Sequence, residues 1–167
     1  MMSTPNKVKV YLHALSGSST GPYAWCAHII SKGTYEEISG SSTVDHQTRL
    51  LIEGSIAVLN RIPARSKVHF VCSDNYLGTW IFARLGDGSE AALAPLRKKA
   101  NFDLLPSLVE ARDRHASVNI LTCPQSKMGE NQKTVAERAK EIVEEAQEPQ
   151  DIVTHRPPPT DDASAPW

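Results

Sequence analysis

The stretch from Thr43 to Trp80 constrains this chain more than any other, because it reads as a helix, a buried strand and a second helix in succession. A mostly polar start (Thr43, Val44, Asp45, His46, Gln47, Thr48) leads into Leu50, Leu51, Ser55, Ile56, Val58, Leu59 and Ile62, an apolar helical face that Pro63 ends. Lys67-Val68-His69-Phe70-Val71-Cys72 is then a short β-rich run. Ser73-Asp74-Asn75-Tyr76 closes it, and the next helix carries Trp80 and Ile81. A helix beside a buried strand with polar residues at its carboxyl end is where α/β proteins place their sites. The class expected is α/β, with function gathered around Ser73–Tyr76.

The 167 residues are enough for one domain with a full core and a tail. The formal net charge of −1 gives no global cationic field and argues against strong non-specific DNA binding, while leaving room for a local patch. Cys26, Cys72 and Cys123 are an odd, widely spaced set at strand positions, so buried free thiols are expected in place of a disulfide framework or metal cluster. The six histidines, scattered over strands, caps and tail without ligand spacing, are expected in structural or solvent-facing roles. No leader-like apolar segment precedes Lys9, and no run approaches the roughly 20 apolar residues of a membrane span. A soluble, cytoplasmic protein with no membrane partner is the expectation.

Val8, Val10 and Leu12 alternate with Lys9 and Tyr11, which predicts a strand over Lys7–Leu12. After the small-residue loop Ser16–Pro22, strands are expected over Tyr23–Ser31 and Thr34–Gly40, turned by Lys32-Gly33. Beyond the loop Gly86–Ser89, a short helix over Glu90–Ala100 ends in the basic cluster Arg97-Lys98-Lys99. Asn101-Phe102-Asp103 caps a helix with Leu104, Leu105, Leu108, Val109 and Ala111 inside, where Pro106 fits only the first turn. Ser117–Cys123 is a fifth strand, and Glu130–Glu148 a helix with Val135, Ala139, Ile142, Val143 and Ala146 in one stripe. The later run, with Pro157-Pro158-Pro159 and Asp161-Asp162, cannot build a core. The reading is a domain over 1–148, a five-stranded mixed sheet flanked by helices, with a Pro-rich acidic tail over 149–167 that is disordered or extended.

That order, taken with certain residues, resembles the type 1 ribonuclease H family over about Val8 to Ala146. Ser16 to Ala27 resembles the family's Gly/Ser/Pro-rich loop running into an aromatic second strand. Thr48-Arg49-Leu50 and Ile56-Ala57-Val58-Leu59 resemble its Asn-Arg-Met and Ile-Val-Ala-Leu at and inside the first helix. Cys72-Ser73-Asp74-Asn75-Tyr76 resembles the Thr-Asp-Ser-x-Tyr that closes the fourth strand. Asn101-Phe102-Asp103-Leu104 resembles Asn-Val-Asp-Leu, and Gly129-Glu130-Asn131-Gln132 resembles the Pro-Glu-Asn-Glu before the last helix. The resemblance implies a ribonuclease H-like fold and a nucleic-acid ligand.

The chemistry it implies needs carboxylates gathered around two divalent ions at a phosphodiester. Carried across residue by residue, those positions fall on His13, Leu51, Ser73 and Val135, and the family's loop histidine falls on Gln125. Leu and Val cannot ligate Mg²⁺, and a neutral imidazole suits so hard an ion poorly. The expectation is therefore a catalytically inactive relative with no metal cofactor, binding RNA or an RNA/DNA hybrid. Ser19, Gln47, Thr48 and Asn75 would meet the ribose and backbone, and Arg97, Lys98 and Lys99 the phosphates.

Three alternatives stay open. In one, a rearranged Mg²⁺- or Mn²⁺-dependent nuclease uses Asp74 and Glu53 with His13. In another, His13, Asp74 and His46 form a replacement transition-metal site. In the last, the chain is a protein-interaction or structural module, with the tail as one surface for a protein partner.

Overall fold

Three strands open the chain: β1 (Lys7–Ser16), β2 (Tyr23–Ser31) and β3 (Thr34–Ser42), paired antiparallel as a meander. Val8, Val10 and Leu12 pack on one side of the sheet and Tyr11 on the other, as a period of two requires. The β2–β3 turn is the two-residue type expected. Ser31 faces Thr34, and both central residues are left-handed, Lys32 at φ 49° and Gly33 at φ 78°. The computed structural model describes residues 5–16, 22–42, 46–145 and 152–156, the last group as backbone.

Helix α1 (Gln47–Arg61) buries Leu50, Leu51, Ile52, Ser55, Val58 and Leu59 against β1 and β2. It lies close to the sheet at Gly54, where an added Cβ would stand 3.0 Å from two ring carbons of Trp25. After Pro63 the chain enters β4 (Lys67–Cys72), parallel to β1. Then β5 (Ser117–Thr122) runs parallel to β4. All five anticipated strands are present, and a sixth, β6 (Ile152–Arg156), adds antiparallel to β3 from within the stretch read as tail. Its Ile-Val-Thr composition suits a strand. The sheet order is β5-β4-β1-β2-β3-β6. One apolar cluster joins the α1 side of the sheet to helix α3 (Leu105–Asp113). A smaller one, with Tyr11, Cys26, Ile30 and Val71, lies under helix α4 (Glu130–Glu145) through Val135 and Ala139.

Several helices differ from the sequence pattern. The helix after β4 is a π-turn, Tyr76–Ile81, in which the Phe82 N–H reaches the carbonyls of Leu77 and Gly78; it tightens into a 3₁₀ turn, Phe82–Arg84. The piece expected over Glu90–Ala100 is only α2 (Glu90–Leu93) followed by a 3₁₀ turn, Ala94–Leu96, which contains Pro95. Asn101 takes a left-handed conformation (φ 69°) before the 3₁₀ turn Phe102–Leu104, and Pro106 falls in the first turn of α3 as required. Cys26 and Cys72 are buried free thiols, whereas Cys123 is half-buried, a correction that follows from its place beyond the end of β5.

Candidate functional site at the carboxyl ends of β1 and β4

Tyr11 and Val71 are the last facing pair of the parallel β1–β4 ladder, and His13 on β1 and Ser73 after β4 each follow it by two residues. The start of α1 is fastened to this end: the Gln47 side-chain amide donates to the Ala14 carbonyl at 2.8 Å. Asp74 Oδ1 accepts the Tyr76 N–H at 2.7 Å, an Asx turn that launches the π-turn, while Asn75 stays exposed. Two contacts then draw in the chain after the basic cluster. Asn101 Nδ2 donates to the Tyr76 hydroxyl at 3.0 Å, and the Arg49 guanidinium donates to both Asp103 oxygens at 2.9 and 2.7 Å. The exposed Arg97, Lys98 and Lys99 directly precede this anchored segment.

Gln47, Thr48, Asn75 and the basic cluster are thus hung on a common frame of α1, the β4 end and the Asn101–Asp103 turn. Ser19 lies outside the described residues, as do the tail positions 157–167. A group that sequence reasoning did not single out stands on the π-turn: Trp80, 49% exposed, with the Arg84 guanidinium 4.6 Å from its ring centre. Its signal was available as an aromatic and an arginine four residues apart in a helical segment.

The positions that the resemblance assigns to metal ligands divide between the two sides of the sheet. Leu51 (1% exposed) belongs to the α1-side cluster and Val135 (0%) to the α4-side cluster. His13 is buried, and that burial lowers its pKa, favouring neutral imidazole. Ser73 is half-buried just past β4. Glu53, half-buried, holds Arg49 Nε at 3.4 Å, so Arg49 sits between two carboxylates. Among the described residues, the one trio of His, Cys or carboxylate side chains with ligand atoms within 4.8 Å of one another is Cys26, His28 and Glu37. Neither His13, His46 and Asp74 nor His13, Glu53 and Asp74 forms such a trio.

The Cys26–His28–Glu37 group sits on the β2–β3 surface under α4, and its polar atoms are engaged. Glu37 accepts Arg138 Nε at 2.8 Å and Nη2 at 3.2 Å, and lies 2.9 Å from His28 Nε2. The Tyr35 hydroxyl meets His28 Nδ1 at 2.9 Å, and Arg138 also bonds Glu141. Burial alone would raise the Glu37 pKa; the bonds from His28 and Arg138 and the guanidinium charge outweigh it and hold it at about 2. A cation placed here would have to compete with a guanidinium for the same carboxylate. The structural role expected of the histidines holds for His28, but Glu37 and Arg138 are invisible to sequence reasoning. A charged residue is legible as buried only when its partner, here 101 positions away, is known.

A mixed sheet in this order, a helix crossing from β3 to β4 and helices on both faces define a ribonuclease H-like α/β fold. Solved structures agree. RNase H1 from the halophilic archaeon Halobacterium salinarum NRC-1 superimposes with a TM-score of 0.59 at 16% identity, over 84% of this chain and 99% of that one. The N-terminal RNase H domain of Rv2228c from Mycobacterium tuberculosis, solved as a fusion with maltose binding protein, gives 0.56 at 14% identity, over 84% and 98%. LC9-RNase H1, a type 1 RNase H with the type 2 active-site motif, gives 0.63 at 14%, over 86% and 75%. At such identities the likeness is one of fold. No protein-family model and no curated protein sequence matches the chain. Among the described residues no helix is long and apolar enough to cross a membrane.

Proposed function

We propose that this chain binds nucleic acid, RNA or an RNA/DNA hybrid, on a ribonuclease H-like fold without performing metal-dependent hydrolysis. The observation that carries the reading is the contrast at one end of the sheet. Leu51 and Val135 stand in separate apolar clusters where the resemblance would require carboxylates, while Gln47 and Asn75 are exposed, Thr48 is half-buried and Arg97, Lys98 and Lys99 are exposed. Two-ion catalysis obtains its rate by clamping the attacking and leaving oxygens, and aliphatic side chains hold no ion. Neutral amides and hydroxyls suit ribose and backbone contacts, and a stacked Trp80–Arg84 pair offers a face to a base.

Titration of labelled RNA, RNA/DNA hybrid and DNA, each with and without Mg²⁺ or Mn²⁺, tests this directly. The expected outcome is micromolar-class binding with a preference for ribose-containing strands and no cleavage of the hybrid. Cleavage in Mg²⁺ or Mn²⁺ that Asp74→Asn abolishes would replace this reading with a rearranged nuclease. Absence of binding to every nucleic acid at low salt would replace it with a protein-interaction role.

A further inference from the structure

The described sheet ends in β6, which lies against β3, on one side and in β5 on the other, and no described strand pairs with the outer side of β5. Exposed edges normally carry a lysine, a proline, a bulge or an inward charge that blocks pairing with another chain. Ser117-Val118-Asn119-Ile120-Leu121-Thr122 has none of the residue-level protections: it contains no charge, no proline and no glycine. Leu121, on this edge, is 62% exposed. Beside it runs an open groove of about 480 Å³, in which Val118, Ile120 and Thr122 face Gly78, Thr79 and Phe82 of the π-turn region, again without a charged group.

Hydrogen-bond parity shows which backbone groups are available. The N–H groups of Ser117 and Cys123 point at β4, to the carbonyls of Ser66 and Cys72. Alternation along a strand then turns the N–H and C=O of Val118, Ile120 and Thr122 outward. We propose that this edge pairs with the same edge of a second copy of the chain, antiparallel and centred on Ile120. In that register Val118 lies opposite Thr122 of the partner subunit, and Ile120 opposite Ile120 of the partner subunit. The outward groups complete about six hydrogen bonds, two for each of the facing pairs.

The same twofold puts Asn119 next to Leu121 of the partner subunit, in a closely spaced pair that covers the exposed leucine. The segment is self-complementary because it is neutral, and the copies, at net charge −1 each, repel one another little. A twofold through β5 uses that edge once in each copy, so this pairing closes as a dimer. An interface one strand long lies at the small end of specific interfaces, so the dimer is expected to be concentration-dependent.

Sedimentation velocity on the full chain, from about 1 to about 200 µM, should show mass rising from 18.3 kDa toward twice that value. Amide exchange should slow with concentration at Val118, Ile120 and Thr122. Leu121→Lys, on an exposed side chain, should leave the circular dichroism unchanged and raise the dissociation constant about tenfold or more. Adding Asn119→Glu to Leu121→Lys should restore the dimer, because the two introduced charges meet across the twofold in this register alone. A monomer at every concentration overturns the proposal. So does a dimer that ignores Leu121→Lys, or one that the second substitution fails to restore.

Discussion

Replacing Arg138 by methionine tests the account of the layer between the sheet and α4. The Arg138 and Glu37 side chains are 6% and 3% exposed and meet at 2.8 Å. At an effective dielectric of about 20, unit charges that close attract by roughly 6 kcal/mol, a sum largely offset by the desolvation of both groups. The intact pair is therefore nearly neutral against an apolar replacement, but one partner left alone is not. Arg138→Met strands the Glu37 carboxylate in the interior without its guanidinium, and should cost about 3–5 kcal/mol at pH 7. For a chain of this size that is a fall in Tm of about 6–20 °C. The double variant Glu37→Gln/Arg138→Met should recover most of the loss, since neither charge then remains buried.

The dependence on pH gives the same reasoning a sign. Glu37 is held at about 2, below its ordinary 4.5, so the stability it contributes is complete above 4.5 and is lost as pH falls from 4.5 toward 2. That displacement corresponds to about 3 kcal/mol. In Arg138→Met burial and the His28 bond remain while the guanidinium's bonds and charge are lost, so the Glu37 pKa rises from about 2 and less stability is lost on acidification. Urea unfolding followed through the buried Trp25 at pH 7, 5 and 3.5 reads both effects. A loss below about 1 kcal/mol at pH 7, or an acid profile in the variant parallel to the parent's, would refute the argument.

Three further outcomes can be checked separately. Trp80→Ala should weaken binding of single-stranded RNA by about 1–3 kcal/mol, roughly 5- to 150-fold, in a fluorescence titration, with the fold unchanged because the ring is half exposed. Lys98→Ala with Lys99→Ala should weaken RNA and DNA duplexes alike and flatten the log K against log salt slope by about 0.9 for each phosphate no longer neutralised. Among the thiols, Cys123 should react first with a disulfide reagent at pH 8, since burial pushes the Cys72 thiol up to about 11 while Cys123 is half-buried; equal rates at both would contradict this placement.

What could be read from the sequence alone were the features set within a few residues of one another. The alternation around Val10, the Lys32-Gly33 turn, the α1 face ending at Pro63, β4 and the α4 stripe all follow from local sterics and periodicity. The resemblance that rests on Cys72–Tyr76 and Asn101–Leu104 led to the right fold, and the aliphatic identity of Leu51 and Val135 was plain. Tertiary structure alone decided how distant pieces met. It tied Arg49 to Asp103, buried Glu37 against Arg138, joined β6 to β3 and left β5 as a bare edge among the described strands. The physical reason is the same in each case. A strand pattern states which face is apolar but not which neighbour completes its hydrogen bonds, and a charge reads as solvated until the fold supplies its counter-charge.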